Sequence, residues 1–415
     1  MANNIPNNTR TYKYTVDSMD ILFPEEVEPT KINTNFITGI LLEHDFDNDY
    51  FPVFKLSVSI EPKIYFKILS NKLKVRFRLR MQKYAYDGNK DFQFKKDIVN
   101  TVFCVFMDEN TPYFDETSYK ESKLVERTGT TPRDLANVYS FYLFKESDLD
   151  NSKKIVNNVI TNSNLTDTIT YLLSTCGMKN VLMSPLQNKS IFKEILLPPL
   201  TLLNNLLYLN QQYGFYTKGA LIFFDLLCMY IIESNSKCTA FIKEEYTRTV
   251  FNIKEVTNPN SFTPGSFIIE KEKENHINIT PDSINIYSNS VVADQIIGNN
   301  FIIIDPKQGT VENIKPETVQ RGVGTYQVLV NNYGNEYSNN DAKTRKIENN
   351  TVINVNISDF NIDAITPNKE FIFIFDNTKI NSTYSGSYRL TKRIIQFKSE
   401  GNEFIMSGIC EFKKI

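Results

Sequence analysis

Tryptophan is absent from the 415-residue chain, and histidine is nearly so, with only His44 and His276. A cysteine protease, a Cys-His hydrolase or a zinc hydrolase needs a histidine base or histidine ligands, and neither histidine lies near a cysteine in sequence. The five cysteines, at 104, 176, 228, 238 and 410, are odd in number and show no paired spacing. They are expected as reduced, buried thiols, with no disulfide framework and no zinc site. Net charge is also missing: 46 basic residues against 48 acidic ones leave −2. No global field draws the chain to nucleic acid or membrane, so any such contact must be local. The longest apolar stretches, Ile195 to Leu209 and Ala220 to Ile232, are interrupted by prolines, asparagines or Asp225 and are too short to cross a bilayer. Buried cores, and no membrane insertion, are the expectation. The N-terminal MANNIPNNTR has no charged start, apolar run or small-residue cleavage site, so cytoplasmic synthesis is expected.

What the chain does have is length, 41% hydrophobic residues, 30 phenylalanines and 22 tyrosines, sufficient for about two to four domains with aromatic and aliphatic cores. The first 34 residues are polar with scattered apolar positions, an N-terminal arm or a first loose strand. Residues 35–135 form an expected β-barrel-like domain, with strands at Phe36–Leu42, Val53–Ile60, Ile64–Leu69, Leu73–Lys83 and Phe92–Phe106 and a polar linker at 110–135. Residues 136–238 mix a strand at Val138–Glu146, a helical start after Ser147 and a segment Thr166–Leu173 that periodicity leaves open between helix and strand. A β-rich connecting region follows at 239–320, linker-like over 305–320. Residues 321–415 read as a second β-barrel-like domain, with strands at Tyr326–Val330, Val352–Ile357, Glu370–Phe375, Tyr388–Phe397 and Glu403–Phe412. The expected class is mixed α+β and β-rich, with two β-barrel-like domains flanking or packed beside an α/β domain.

One charge pattern stands out. In Leu73-Lys-Val-Arg-Phe-Arg-Leu-Arg-Met, strict alternation places Leu73, Val75, Phe77, Leu79 and Met81 on one strand face and Lys74, Arg76, Arg78 and Arg80 on the other. The basic face is either a solvated surface paired with acids on the next strand, a subunit interface, or a contact to DNA phosphates. Of the functional readings, the subunit interface is the one taken.

Other motifs point to ordinary structure. His44 beside Asp45 suits a solvated turn. Asp45, Asp47 and Asp49 have the spacing that opens a calcium loop but lack its glycine and closing glutamate, so a polar hairpin is expected. Gly322-Val323-Gly324 falls short of a dinucleotide fingerprint. Paired carboxylates for glycoside cleavage depend on spatial proximity, which sequence does not reveal. No catalytic, cofactor-binding or metal-binding residue is assigned.

Ile191 to Ile232 reads as one compact unit without a catalytic group. Thr201 can cap a helix whose stripe is Leu202, Leu203, Leu206, Leu207 and Leu209, Gly214 ends it, and Ala220–Phe224 and Cys228–Ile232 follow as a hairpin. The Tyr213-Gly214-Phe215-Tyr216 turn with the Leu221–Asp225 strand resembles an element of baseplate hub, or tail-tip hub, proteins of tailed phages and related contractile injection systems. The C-terminal block resembles the closing barrel of the same proteins, through Ile365-Thr-Pro-Asn-Lys-Glu-Phe-Ile-Phe-Ile-Phe, Tyr384-Ser-Gly-Ser-Tyr-Arg-Leu and Gln396–Phe404. The two blocks cover about a quarter of the chain. The resemblance implies a structural virion protein with no enzymatic role, self-associating into a trimeric ring that joins a tail tube protein to a central spike protein. It also implies transient passage of DNA, location in the virion tail and assembly in the host cytoplasm. An envelope-degrading hydrolase and a receptor- or carbohydrate-binding β protein are the alternatives.

Overall fold

The computed structural model describes residues 11–86, 92–107, 137–217, 219–234, 248–254, 265–271, 274–288, 300–305, 310–314, 326–330, 351–358, 361–367, 369–376, 384–400 and 403–415. The expected linker at 110–135, Cys238 and Gly322-Val323-Gly324 lie outside the described residues.

The N-terminal strands are β1 (Thr11–Leu22), β2 (Thr30–Ile32), β3 (Ile37–Asp45) and β4 (Val53–Ile60), then helix α1 (Pro62–Asn71), β5 (Arg76–Tyr86), β6 (Phe92–Met107) and β7 (Asn137–Lys145). Alternation builds them: β4 buries Phe54, Leu56, Val58 and Ile60 and turns the residues between them outward. The stretch read as an arm or loose strand holds β1, a full stave that buries Tyr12, Tyr14, Val16, Met19 and Ile21.

An insert follows: α2 (Glu146–Ser152), β8 (Ile155–Asn164), α3 (Leu165–Thr175), β9 (Val181–Met183), β10 (Ile191–Thr201), α4 (Leu202–Tyr213), β11 (Ala220–Phe224) and β12 (Met229–Glu233). The chain ends in β13 (Arg248–Lys254), β14 (Gly265–Lys271), β15 (Glu274–Thr280), β16 (Ser283–Ser288), β17 (Asn300–Asp305), β18 (Thr310–Ile314), β19 (Tyr326–Val330), β20 (Thr351–Ser358), β21 (Glu370–Asp376), β22 (Gly386–Glu400) and β23 (Glu403–Lys414). Strand β18 lies within the stretch expected as a linker.

Eight strands close into an antiparallel barrel in the order β22-β3-β4-β7-β6-β5-β1-β23, sealed by pairing of β22 with β23. At this strand number the interior is just wide enough for side chains to fill it. Tyr14, Ile21, Leu42, Leu56, Phe77 and Phe141 fill it. Strands β22 and β23 also extend beyond the barrel, where β21 and β20 pair with them and carry the sheet on to β13, β15 and β14 on one side and β16 on the other. The β-rich α+β class therefore holds, and the closed barrel takes its staves from both ends of the chain.

Two segments differ from expectation. Ile64–Leu69 is helical: Pro62 presets the first turn, and Tyr65 and Ile68 bury one face at a spacing of three. Strand β5 begins only at Arg76, because Lys72–Lys74 form a 3-10 turn entered through a positive φ at Lys72. Leu73 is thereby 65% exposed and Lys74 leaves the strand face, while the alternation from Val75 to Met81 is kept. Thr166–Leu173 resolves as helix α3, whose first turn is capped by Asn164 accepting from the Asp167 amide at 2.9 Å.

The insert has its own core around Leu165, Ile169, Leu172, Leu202, Leu206 and Leu209. Thr201 occupies the N-cap of α4, but its side chain makes no capping bond. Asn205 fastens the helix instead, donating to the carbonyls of Leu200 (2.8 Å) and Val156 (3.2 Å). Gly214 ends α4 at φ 68. The β11–β12 hairpin is apolar throughout because both faces are buried: Phe223, Tyr230 and Ile232 join the barrel core, and Ile222, Phe224, Met229 and Ile231 join the insert core.

Phe141 is fully buried against Phe77 at 5.1 Å. Phe141→Ala is expected to cost about 3–5 kcal/mol by denaturant unfolding, whereas Leu73→Ala should change stability by no more than about 0.5 kcal/mol. Equal effects would contradict the 3-10 turn at Lys72–Lys74.

Candidate interaction surface and its buried ion pairs

The four basic residues singled out in sequence do not act as one row. Lys74 is exposed on the 3-10 turn. The three arginines stand on the outer face of β5, and acids from flanking elements meet each of them. Arg76 Nε bonds Glu146 at 2.5 Å, at the start of α2. Arg78 bonds Asp20 of β1 through Nε at 3.0 Å and Nη2 at 2.7 Å. Arg80 lies between Asp97 of β6 (3.2 Å) and Asp17 of β1 (3.2 Å). Gln82 and Arg80 hydrogen-bond the Asp97 carboxylate and hold its pKa below the ordinary value. The guanidinium side chains of Arg78 and Arg80 are 48% and 41% exposed, so the face is charged, largely self-neutralised and open to solvent.

Two buried ion pairs that no sequence pattern signals sit among the barrel staves. Lys83, 1% exposed at its side chain, continues the inward alternation of Val75 to Met81 and meets Asn361 (2.6 Å) and Asp363 (2.5 Å). Lys96 reaches the same carboxylate at 3.0 Å, and the ammonium of Lys369 bonds the Asp363 carbonyl. Burial pushes the Asp363 carboxyl up, but the Lys83 and Lys96 charges outweigh it and hold it at about 2. The Tyr14 hydroxyl accepts the Ile362 amide at 3.0 Å, and Thr249 donates to the Ala364 carbonyl at 2.7 Å. The segment from Asn361 to Thr366 is thus clamped, buried, against the barrel.

The second pair is Arg393 of β22 with Asp225 of the β11–β12 turn, 2.7 Å apart, with Arg393 Nη1 also donating to the Ile365 carbonyl at 2.8 Å. One guanidinium therefore ties the insert hairpin and the 361–366 segment to the same stave. His44, expected in a solvated turn, is fully buried beside this pair and is the register partner of Arg393. The Asp45 to Asp49 stretch does form a polar turn: Asp45 accepts the amides of Asp47 and Asn48, and Asp47 pairs with Arg389 at 2.6 and 2.9 Å.

A cleft of about 520 Å³ opens between β6 and the insert, lined in part by Asp97, Asn100, Lys145, Asp148 and Lys179. Burial raises the Asp148 carboxyl pKa while Asp97 is held low, the split that acid–base chemistry uses. Their placement argues against that use. Asp148 pairs with Lys145 at 3.3 Å, and Lys145 is the register partner of Phe103. From Phe103 back to Asp97 along β6 is roughly 20 Å at strand rise, beyond the about 5–10 Å that glycoside cleavage requires. Among the described residues no group of three or more His, Cys, Asp or Glu could hold a metal ion. The thiols of Cys104, Cys176, Cys228 and Cys410 are buried, and burial raises their pKa values, to about 11 for Cys228 and about 12 for Cys410.

Residues 12–415 match the family described as Bacteriophage PBS1 gene 109 protein. No curated protein sequence matches the chain. Among solved structures, the tail protein from Neisseria meningitidis MC58 superposes with a TM-score of 0.53 at 8% identity, covering 98% of this chain and 97% of that one. The 43 kDa tail protein of prophage MuSo2 from Shewanella oneidensis gives 0.51 at 12% identity, covering 96% and 98%. A chain of the lidded Francisella PdpA-VgrG complex gives 0.52 at 11% identity, covering 98% of this chain and 53% of that one. These likenesses establish a shared fold.

Asp363 supplies a test of the clamp. Its carboxyl is held low in the folded state, so its contribution to stability is complete above the ordinary value near 3.8 and is lost as pH falls from there through about 2. Asp363→Ala is expected to cost about 3–5 kcal/mol at pH 7 and to flatten the acid limb of stability against pH between 4 and 2. An unchanged acid limb in urea titrations would contradict the clamp.

Proposed function

From its membership of the Bacteriophage PBS1 gene 109 protein family, we propose that this chain is a structural component of the virion tail, the baseplate or tail-tip hub that joins a tail tube protein to a central spike protein. The observation that carries this reading is end-to-end likeness: the fold of two tail proteins is matched over 96–98% of this chain and 97–98% of theirs. The likeness to a chain from a PdpA-VgrG complex supports a spike-type partner. The protein is read as non-catalytic. The two acids of its cleft stand on different elements, Asp97 on β6 and Asp148 on α2 beside Lys145, and its described cysteines are buried.

Three copies in a ring around a conduit for DNA complete the proposal. Because side chains fill the eight-stranded barrel, such a conduit runs between subunits and not through a barrel. Assembly would also cover apolar side chains that the monomer leaves in solvent. Val159 and Leu196, 52% and 45% exposed, are cross-strand partners on the β8–β10 ribbon, and Ile409 is 49% exposed on β23. Lys74, Arg76, Arg78 and Arg80 are assigned to a subunit interface. The acids beside the three arginines leave a face of mixed charge, with Lys74 exposed on the turn next to it, that can meet a neighbouring copy.

The native mass of the purified chain, followed by two-dimensional class averages, tests the proposal. A trimeric ring with a central hole is expected, and Arg78→Glu with Arg80→Glu should lower the trimer fraction without unfolding the barrel. A stable monomer that remains monomeric with tube and spike proteins would overturn it. Trimers indifferent to the charge reversals would remove the arginine face from the interface.

A further inference from the structure

His44 lies at the point where the insert meets the barrel. It projects inward from β3, its ring 4.3 Å from Phe46 and 5.4 Å from Phe223 of β11. Its Nε2 stands 3.2 Å from the Asp49 carbonyl. A carbonyl only accepts, so Nε2 carries the ring proton and Nδ1 is a bare acceptor. That Nδ1 is buried without a partner, and so is Nε of Arg393, the residue directly opposite on β22. The remaining nitrogens of Arg393 are committed to Asp225 and to the Ile365 carbonyl.

The charged and titratable groups facing this pair come from every element packed on it. The turn after β3 contributes Asp49, the β11–β12 turn contributes Asp225 and Cys228, β12 contributes Tyr230, β23 contributes Cys410 beneath Arg393, and the 361–366 segment contributes Asp363, which lines one small cavity with Arg393 and Asp225 but is held by Lys83 and Lys96. Among the described residues Asp225 is the only carboxylate bonded to Arg393, and it is 5% exposed. A second cation in this buried space would compete for that carboxylate and repel Arg393.

We propose that His44 is a proton-sensitive latch: its protonation loosens the Arg393–Asp225 bond and frees the β11–β12 hairpin of the insert from the barrel. At neutral pH the ring is uncharged and the latch is shut. Burial and the Arg393 charge lower the His44 pKa from 6.5, against the opposing pull of Asp225 and Asp49. The open state, with His44 hydrated, takes up the proton first. The latch is therefore fully closed above about 6.5 and weakens as pH falls through the lowered value. The opening equilibrium is expected to rise by up to about tenfold per pH unit over that interval.

With only two histidines in the chain, the test has a clean readout. In the full-length His276→Gln chain labelled at histidine carbon, the single imidazole resonance reports His44. Hydrogen exchange, corrected for intrinsic rate, is followed over Ala220–Glu233 from pH 7.5 to 5. The expected result is an imidazole titration with a midpoint below 6.5, tracked by loss of protection in the hairpin while β4 and β7 stay protected. In His44→Gln the hairpin protection should no longer depend on pH. An imidazole that stays neutral to pH 5, or hairpin protection that does not change, overturns the proposal using the native residue alone. A pH dependence that persists in His44→Gln overturns it as well.

Discussion

The fold depends on one pair of strands. Paired β22 and β23 close the barrel between β3 and β1, and beyond it they support β21 and β20. The N-terminal staves β1 to β7 form a curved sheet with two open edges until this C-terminal pair arrives. Such edges invite wrong pairing, and closure removes them. The contacts that achieve it link residues hundreds of positions apart, such as Tyr14 with Phe404 and Ile40 with Phe397. Pairing at that separation is slow, because loop-closure entropy is lost before the contacts repay it. The earlier staves need enough local structure to wait. Helix α1 and the alternating strands β3 and β4 supply it from adjacent sequence.

Closure leaves polar work to be done. Lys83, Arg393 and His44 point inward among Phe and Tyr side chains, where charges are costly unless paired. The chain meets this cost by bringing carboxylates from segments outside the barrel, Asp363 from the stretch before β21 and Asp225 from the insert. A hydrophobic replacement of similar size could be as stable as either pair. What the ion pairs add is position: each ties a separate segment to a particular stave, a register that apolar contact alone fixes less sharply. Arg393 binds two such segments at once, so the insert and the 361–366 segment share one attachment.

Where apolar spacing follows a single period and one face is buried, the sequence shows the structure directly. This holds for β4, for Val75 to Met81 and for the helix from Leu202 with its stop at Gly214. It fails where tertiary context overrides the local pattern. Ile64–Leu69 is apolar enough for a strand, and only Pro62 with the spacing of Tyr65 and Ile68 marks the helix. Leu73 continues the β5 alternation on paper, yet the positive φ at Lys72 breaks it. The barrel's composition from both chain ends was hidden because adjacent strands in sequence suggest adjacent domains, and pairing of β22 with β3 leaves no local trace. The arginines were visible, but the acids that neutralise them come from three other elements. Lys83 follows the inward parity of Met81, but its partners Asn361 and Asp363 lie far off in sequence, and a packed hairpin covers His44.

The arginine face shows how neutralisation bears on the proposed conduit. A bare row of Arg76, Arg78 and Arg80 would release counterions on meeting DNA, and each contact would add to the hold on a polymer that has to slide. Bonded to Glu146, Asp17 and Asp97 at the surface and to the buried Asp20, the same row is largely neutralised. Surface pairs of this kind add little to stability, since each gains little over its hydrated partners. Exchange for equivalent pairs on a neighbouring copy is correspondingly cheap for Arg76 and Arg80, whereas Arg78 is held by the buried Asp20. Such a face suits contact with another protein of mixed charge and resists gripping a polyanion, so the same bonds that spend the arginines as a DNA site leave them available for assembly.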